Sequence, residues 1–285
     1  MNGRRAVSVD AIESKMSRYA ERVDRAIGKE FELYAHSRFH DPLIYAVSGG
    51  KRVRPLMLML SAESLGYEGD NVLDAAVAVE LLHTESIIHD DIIDEENARR
   101  GRMTFHVKYG YSASLLTADF VFSMILSIAA RYKDRRVAEV ISSAALHMSE
   151  GEYSELTIDP KVYKLDWDEY LEIVANKTAS LFEASAKLGA LIAGGSDKEV
   201  SALANYGKYL GIAYQIRDDL LDWKSRDKIA LGLLTRYSEG EVVGKMTALS
   251  QDYAEEAKRQ LILLPRSMAS EFLSELTDFT IYRKY

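Results

Sequence analysis

Apolar residues recur along this chain at the spacing of α-helices. Ala75, Ala78, Val79 and Leu82 share one helical face, and Leu171, Val174, Thr178 and Leu181 share another. Start and stop signals frame such segments. Asp166 with Glu169, and Ser196 with Glu199, have the spacing of capping boxes, in which each side chain satisfies a free backbone amide. Gly66 and Gly69 punctuate one connection and Gly194-Gly195 another. Alternating strand patterns bounded by hairpin turns, fixed-period repeats and Pro/Ser-rich linkers are absent. The pattern predicts an all-α protein, with residues 1–285 forming a single large helical bundle of roughly ten or more helices. Asp222 to Glu241 is its least regular stretch. Leu115 to Ala130, the most apolar run, contains Asp119 and is expected to be a buried core helix, so no membrane span is predicted.

Composition narrows the chemistry. Only 4 prolines in 285 residues leave room for long helices, since an interior proline costs about 3 kcal/mol. The absence of cysteine excludes disulfides, a thiolate nucleophile, a cysteine zinc site and an iron–sulfur cluster. A net charge of −8 argues against nucleic acid as a partner. Met1 to Arg5 carries charge with no apolar stretch behind it, so no secretory signal is read and a cytoplasmic protein is expected.

Two acidic clusters stand out against the apolar background. His89-Asp90-Asp91-Ile92-Ile93-Asp94 closes one apolar stretch, and Gln215-Ile216-Arg217-Asp218-Asp219-Leu220-Leu221-Asp222 repeats the arrangement. On a helix, Asp90 and Asp94 lie on one face, as do Asp218 and Asp222. Like charges in apolar surroundings call for a compensating cation. Magnesium suits them: it takes one or two carboxylates and fills its remaining positions with water and phosphate oxygens. Anionic partners also need cations. Ser48-Gly49-Gly50-Lys51-Arg52-Val53-Arg54-Pro55 is a glycine loop opening into a helix, a pattern suited to anions. Arg99-Arg100-Gly101-Arg102 follows the first acidic cluster, and Lys177-Thr178 falls inside an apolar helix.

The order G-G-K-R-x-R-P, then H-x-x-x-x-x-H-D-D-x-x-D-x-x-x-x-R-R-G, then K-T, then Q-I-x-D-D-x-x-D resembles the trans-isoprenyl diphosphate synthases, the farnesyl and geranylgeranyl diphosphate synthases among them. The likeness runs from about Leu43 to Trp223. It implies an isoprenoid-synthase-like bundle around a central cavity. It also implies a magnesium-dependent prenyltransferase that condenses isopentenyl diphosphate with an allylic diphosphate, giving a farnesyl or geranylgeranyl product. Lys51, Arg54, His83 and Arg100 would hold isopentenyl diphosphate. Arg99, Lys177, Thr178 and Gln215 would meet the allylic diphosphate. Asp90, Asp94, Asp218 and Asp222 would ligate magnesium, three ions per site with substrate bound, while Asp91 and Asp219 support them and His89 orients its helix. Asp90, Asp94, Lys177, Thr178, Gln215 and Asp218 make up the catalytic set, and Lys177 carbonyl, Thr178 and Gln215 would face the carbocation. A homodimer is implied, with Leu115 to Ala130 a candidate contact.

Two segments depart from the family pattern. The usual G-K-x-x-G-x-D after the second cluster is replaced by Trp223-Lys224-Ser225-Arg226-Asp227-Lys228, and the G-Q-x-x-D run reads Gly151-Glu152-Tyr153-Ser154-Glu155. Glu85, five residues before Asp90 in the region that sets product length, is a polar floor for a hydrocarbon tunnel. Met124 and Phe122 fit plain core and tunnel floor equally. Two other readings stay open: a non-catalytic partner subunit of such a synthase, and a class I terpene cyclase.

Overall fold

Capping explains where the helices begin. A computed structural model describes residues 9–159, 164–223 and 228–282. Both expected capping boxes form, Asp166–Glu169 at the start of α8 (Trp167–Val174) and Ser196–Glu199 at the start of α10 (Asp197–Leu221). Ser238 and Glu241 make a third at α12 (Glu239–Leu261). The order before α8 is α1 (Val9–Glu32), α2 (His40–Val47), α3 (Val53–Ser64), α4 (Val72–Ile93), a small hairpin, α5 (Phe105–Tyr109), α6 (Tyr111–Ala129) and α7 (Arg135–Leu156). After it come a π-helical turn (Ala175–Ala179), α9 (Ser180–Ile192), α10, α11 (Lys228–Leu234), α12 and α13 (Met268–Tyr282).

The core lies where α3, α9 and α10 cross. Every residue of α3 from Pro55 to Ala62 is buried, and α4 is buried continuously from Ala75 to Leu82, as helices enclosed on all sides must be. Backbones meet directly at the crossing: a Cβ on Gly207 of α10 would stand 2.4 Å from the Phe182 carbonyl of α9. This all-α bundle is the architecture the periodicity predicts.

Three local expectations are corrected. Ala98–Arg99 (β1) and Arg102–Met103 (β2) pair as an antiparallel hairpin, although no strand pattern precedes it. Arg100 and Gly101 both take positive φ, at 52° and 73°, which is the backbone of a tight two-residue hairpin turn. The periodic face of Leu171, Val174, Thr178 and Leu181 is interrupted by the π turn, which adds a residue to that turn. Finally, α6 is not wholly core. Val121, Met124, Ile125 and Ile128 are buried, whereas Leu115, Leu116, Phe122 and Leu126 are exposed. The stretch from Asp222 to Glu241 contains the short helix α11, and residues 224–227 of its atypical segment lie outside the described residues.

Candidate active site

The loop between α2 and α3 and the hairpin after α4 face each other across a cavity of about 530 Å³. Lys51, Arg54, His83 and Arg100 all line it, so the four residues expected around isopentenyl diphosphate converge. The hairpin docks on the loop: Arg102 Nη1 donates to the Ser48 carbonyl at 3.1 Å, and the Tyr45 hydroxyl donates to the Met103 carbonyl at 2.7 Å. Arg54 lies over the Phe182 ring at 4.6 Å and donates through Nη1 to His83 Nε2 at 3.2 Å. His83 must be neutral to accept that bond. Burial, then the nearby Arg54, Arg100, Arg99 and Arg52, hold its pKa well below the ordinary histidine value. Burial also lowers Arg54, whose Nε is shut off from solvent and meets no acceptor among the described residues.

The C-terminal half of α4 borders a second cleft, of about 360 Å³. Its lining combines the charged Asp90 and Lys177 with the apolar Leu82, Phe122 and Met148. Asp90 and Asp91 diverge. Asp91 is buried and accepts from Arg99 Nε at 2.6 Å, whereas Asp90 borders the cleft. Burial pushes the Asp90 carboxyl up to about 7; Lys177 and Arg99 oppose this, and Glu152 and Asp94 add to it. Asp94 ends the helix, its amide bonded to the Asp90 carbonyl at 2.8 Å. Lys177 reaches Glu152 at 2.6 Å and Glu155 at 2.7 Å. Burial alone would lower its ammonium, but Glu155, Asp90 and Glu152 outweigh burial and raise it. Glu85 does not leave the cleft. It turns along the helix to His89, whose Nδ1 lies 3.1 Å from its Oε1, and that bond raises the His89 pKa.

The second acidic cluster ends α10 and is tied to the π turn. Thr178 Oγ1 donates to Gln215 Oε1 at 2.8 Å, and Gln215 Nε2 donates to Asp219 Oδ1 at 2.7 Å. The Tyr170 hydroxyl donates to Asp219 Oδ2 at 2.6 Å. Asp219 is thus engaged by side chains of two helices. Asp218 acts on Arg54 through its charge, which places the second cluster within electrostatic reach of the first cavity. The Asp222 amide closes α10 on the Asp218 carbonyl at 2.9 Å. The π turn lies close against α7: a Cβ on Gly151 would stand 2.3 Å from the Lys177 nitrogen. That approach is what lets Glu152 and Glu155, one and four residues further along α7, reach Lys177. No role for these glutamates follows from the sequence pattern above, although the Gly151-Glu152-x-x-Glu155 spacing is the signal available for one. Arg99, expected at the allylic diphosphate, spends its Nε on Asp91. Among the described residues, no three or more His, Asp or Glu side chains form a ready metal cage.

A model of the polyprenyl synthetase family matches residues 36–232 of the chain. The chain belongs to the polyprenyl synthetase family. Among its relatives, a geranylgeranyl diphosphate synthase of Methanosarcina mazei is 31% identical over 97% of this chain and 98% of that protein. An octaprenyl diphosphate synthase of Haemophilus influenzae is 39% identical over 65% of this chain, an alignment spanning about half (55%) of that relative's length. The solved polyprenyl synthase of Caulobacter crescentus, complexed with calcium and isoprenyl diphosphate, superposes with a TM-score of 0.84 at 28% identity, covering 99% of this chain and 100% of that one. The two cavities described above therefore sit in a polyprenyl-synthetase bundle.

Proposed function

We propose that this chain is a magnesium-dependent prenyltransferase that joins isopentenyl diphosphate to an allylic diphosphate, with a farnesyl or geranylgeranyl product. The observation that carries the reading is the convergence of Lys51, Arg54, His83 and Arg100 on one cavity. These residues bind the diphosphate of isopentenyl diphosphate. Lys177, held between Glu152 and Glu155, and Arg99 receive the allylic diphosphate.

Asp90, Asp94, Asp218 and Asp222 would hold magnesium. Carboxylates supplied in pairs suit an ion that completes its shell with water and phosphate oxygens. When bound, magnesium neutralises charge developing on the departing diphosphate. The chain's own residues do the rest. The allylic C–O bond breaks with its electron pair on the diphosphate, and Lys177 stabilises that charge. Thr178 and Gln215 turn oxygen atoms towards the carbocation, and their mutual hydrogen bond fixes both. The isopentenyl double bond then attacks, and the proton lost from the adjacent carbon passes to the released diphosphate. No protein base is required. Glu85 and Ser86 add polar groups to the lining of the second cleft, and the bulk of Phe122 narrows its apolar part, which favours a short product over a long one.

The test is incubation of the purified chain with isopentenyl diphosphate, magnesium and dimethylallyl, geranyl or farnesyl diphosphate in turn, with products read by mass spectrometry. The expected result is a longer prenyl diphosphate that disappears on chelation. A hydrocarbon or alcohol product would point to a terpene cyclase. No turnover with any primer would point to a partner-dependent subunit.

A further inference from the structure

The loop that carries Lys51 is wound left-handed, with φ of 85° at Gly49, 99° at Gly50 and 51° at Arg52. Glycine adopts that conformation freely, whereas an arginine must be held in it. The Arg52 side chain supplies the hold. Its Nε donates to Asp24 Oδ1 at 2.8 Å, Nη1 to Glu80 Oε1 at 2.6 Å and Nη2 to the Val47 carbonyl at 2.8 Å. The Arg52 and Glu80 side chains are each only 6% exposed. Glu80 is also the one carboxylate among the described residues lining this cationic cavity, where a negative charge opposes anion binding unless it serves another purpose. The pieces meet at Gly50: a Cβ there would stand 3.0 Å from Arg100 Nη1, 3.5 Å from Arg52 Nη1 and 3.9 Å from Glu80 Oε1.

We propose that Arg52, held by Glu80 and Asp24, is the positioning residue of this anion site. It does not take the diphosphate; it fixes the left-handed loop so that Lys51, Arg54 and Arg100 present their charges to one ligand. Asp24 makes α1 part of that support. The proposal rests on the function given above only for the identity of the anion.

The test compares the full chain with Arg52→Lys, Asp24→Asn and the double variant Arg52→Met/Glu80→Leu. The double variant replaces the buried pair by apolar groups, an exchange that buried ion pairs often tolerate without loss of stability. Binding of inorganic diphosphate is measured by calorimetry, melting temperature is followed in parallel, and KM and kcat are measured with isopentenyl diphosphate. Arg52→Lys and the double variant are expected to weaken diphosphate binding and raise that KM by about tenfold or more, with kcat at saturation changed by less than about threefold. Asp24→Asn should shift both in the same direction by less. A double variant that melts like the parent and binds diphosphate like the parent would reduce the pair to a structural role and overturn the proposal. A loss of kcat at unchanged KM would overturn it too, by making Arg52 a catalytic contact, as would a parent chain that takes up no diphosphate. The titration needs no turnover, so an inactive condensation assay would count against the proposed function and not against this assignment.

Discussion

At the scale of single residues, Asp90 carries the sharpest consequence. Burial raises its pKa from 3.8 to about 7, against the pull of Lys177. The folded chain therefore keeps a proton that the unfolded chain releases. The stability Asp90 contributes is complete below the ordinary aspartate range and is lost as pH rises through about 7. Glu155 is raised by burial in the same direction and adds to the trend. In metal-free protein the urea midpoint of the parent should fall from pH 5 to pH 8, and Asp90→Asn should flatten that fall. Equal slopes in the two proteins would show that Asp90 ionises freely. On the proposed function magnesium would have to displace the same proton, so its affinity should rise with pH through neutrality, and calorimetry in two buffers should detect proton release. The pairing of Asp90 with Asp94 was legible in the sequence, because four-residue spacing places both on one face. The charge of Asp90 was not, because it depends on Glu152 and Lys177, distant in sequence and brought close only by packing.

At the scale of elements, the π turn is the feature that periodicity could not reveal. Leu171, Val174, Thr178 and Leu181 satisfy an ordinary helical spacing, and nothing in that pattern signals an inserted residue. Its cause is tertiary: α7 and the turn approach so closely at Gly151 that only a hydrogen fits. The hairpin escaped notice for the opposite reason, since strands of two residues are too short to show alternation, and only the Arg100-Gly101 turn remains as a signal. Capping boxes, by contrast, were legible because each is complete within four residues. Gly151→Ala tests the packing account. A Cβ 2.3 Å from the Lys177 nitrogen must push the turn away, and overpacking of this kind costs about 1–3 kcal/mol. The melting temperature should drop, and turnover should fall further than stability alone explains, because Lys177 leaves its two glutamates. Gly28→Ala, on α1 with open space around the new methyl, is the control and should stabilise by about 0.5–1 kcal/mol. Equal melting temperatures for the two variants would remove the steric basis for the turn.

At the scale of the whole molecule, α6 decides how the chain meets its surroundings. Its sequence is the most apolar in the protein, with a mean hydropathy of 1.7 over the window from Tyr111 to Ala129, enough by length and composition to cross a membrane. The fold makes that crossing costly. Val121, Ile125 and Ile128 are fully enclosed by the core, so a spanning α6 would strip the bundle of that packing. What remains outside is a stripe of Leu115, Phe122 and Leu126 at helical spacing, with Leu116 beside it, all 40–57% exposed. An exposed apolar stripe of this kind, broken here by the exposed Asp119, is a candidate contact with another macromolecule. Phe122 also lines the second cleft, as do Tyr153 and Leu156, exposed on α7. A partner seated on α6 would therefore wall off the side of the cleft that, on the proposed function, receives the hydrocarbon, and a second copy of the chain is the occupant the family resemblance implies. Sedimentation of the parent should give a dimer, and Leu116→Glu/Leu126→Glu should give a folded monomer with its cleft left open and its product distribution altered. A parent that sediments as a monomer at micromolar concentration would sink the dimer, and co-flotation of the parent with lipid vesicles, abolished by the same two substitutions, would assign the face to a bilayer instead.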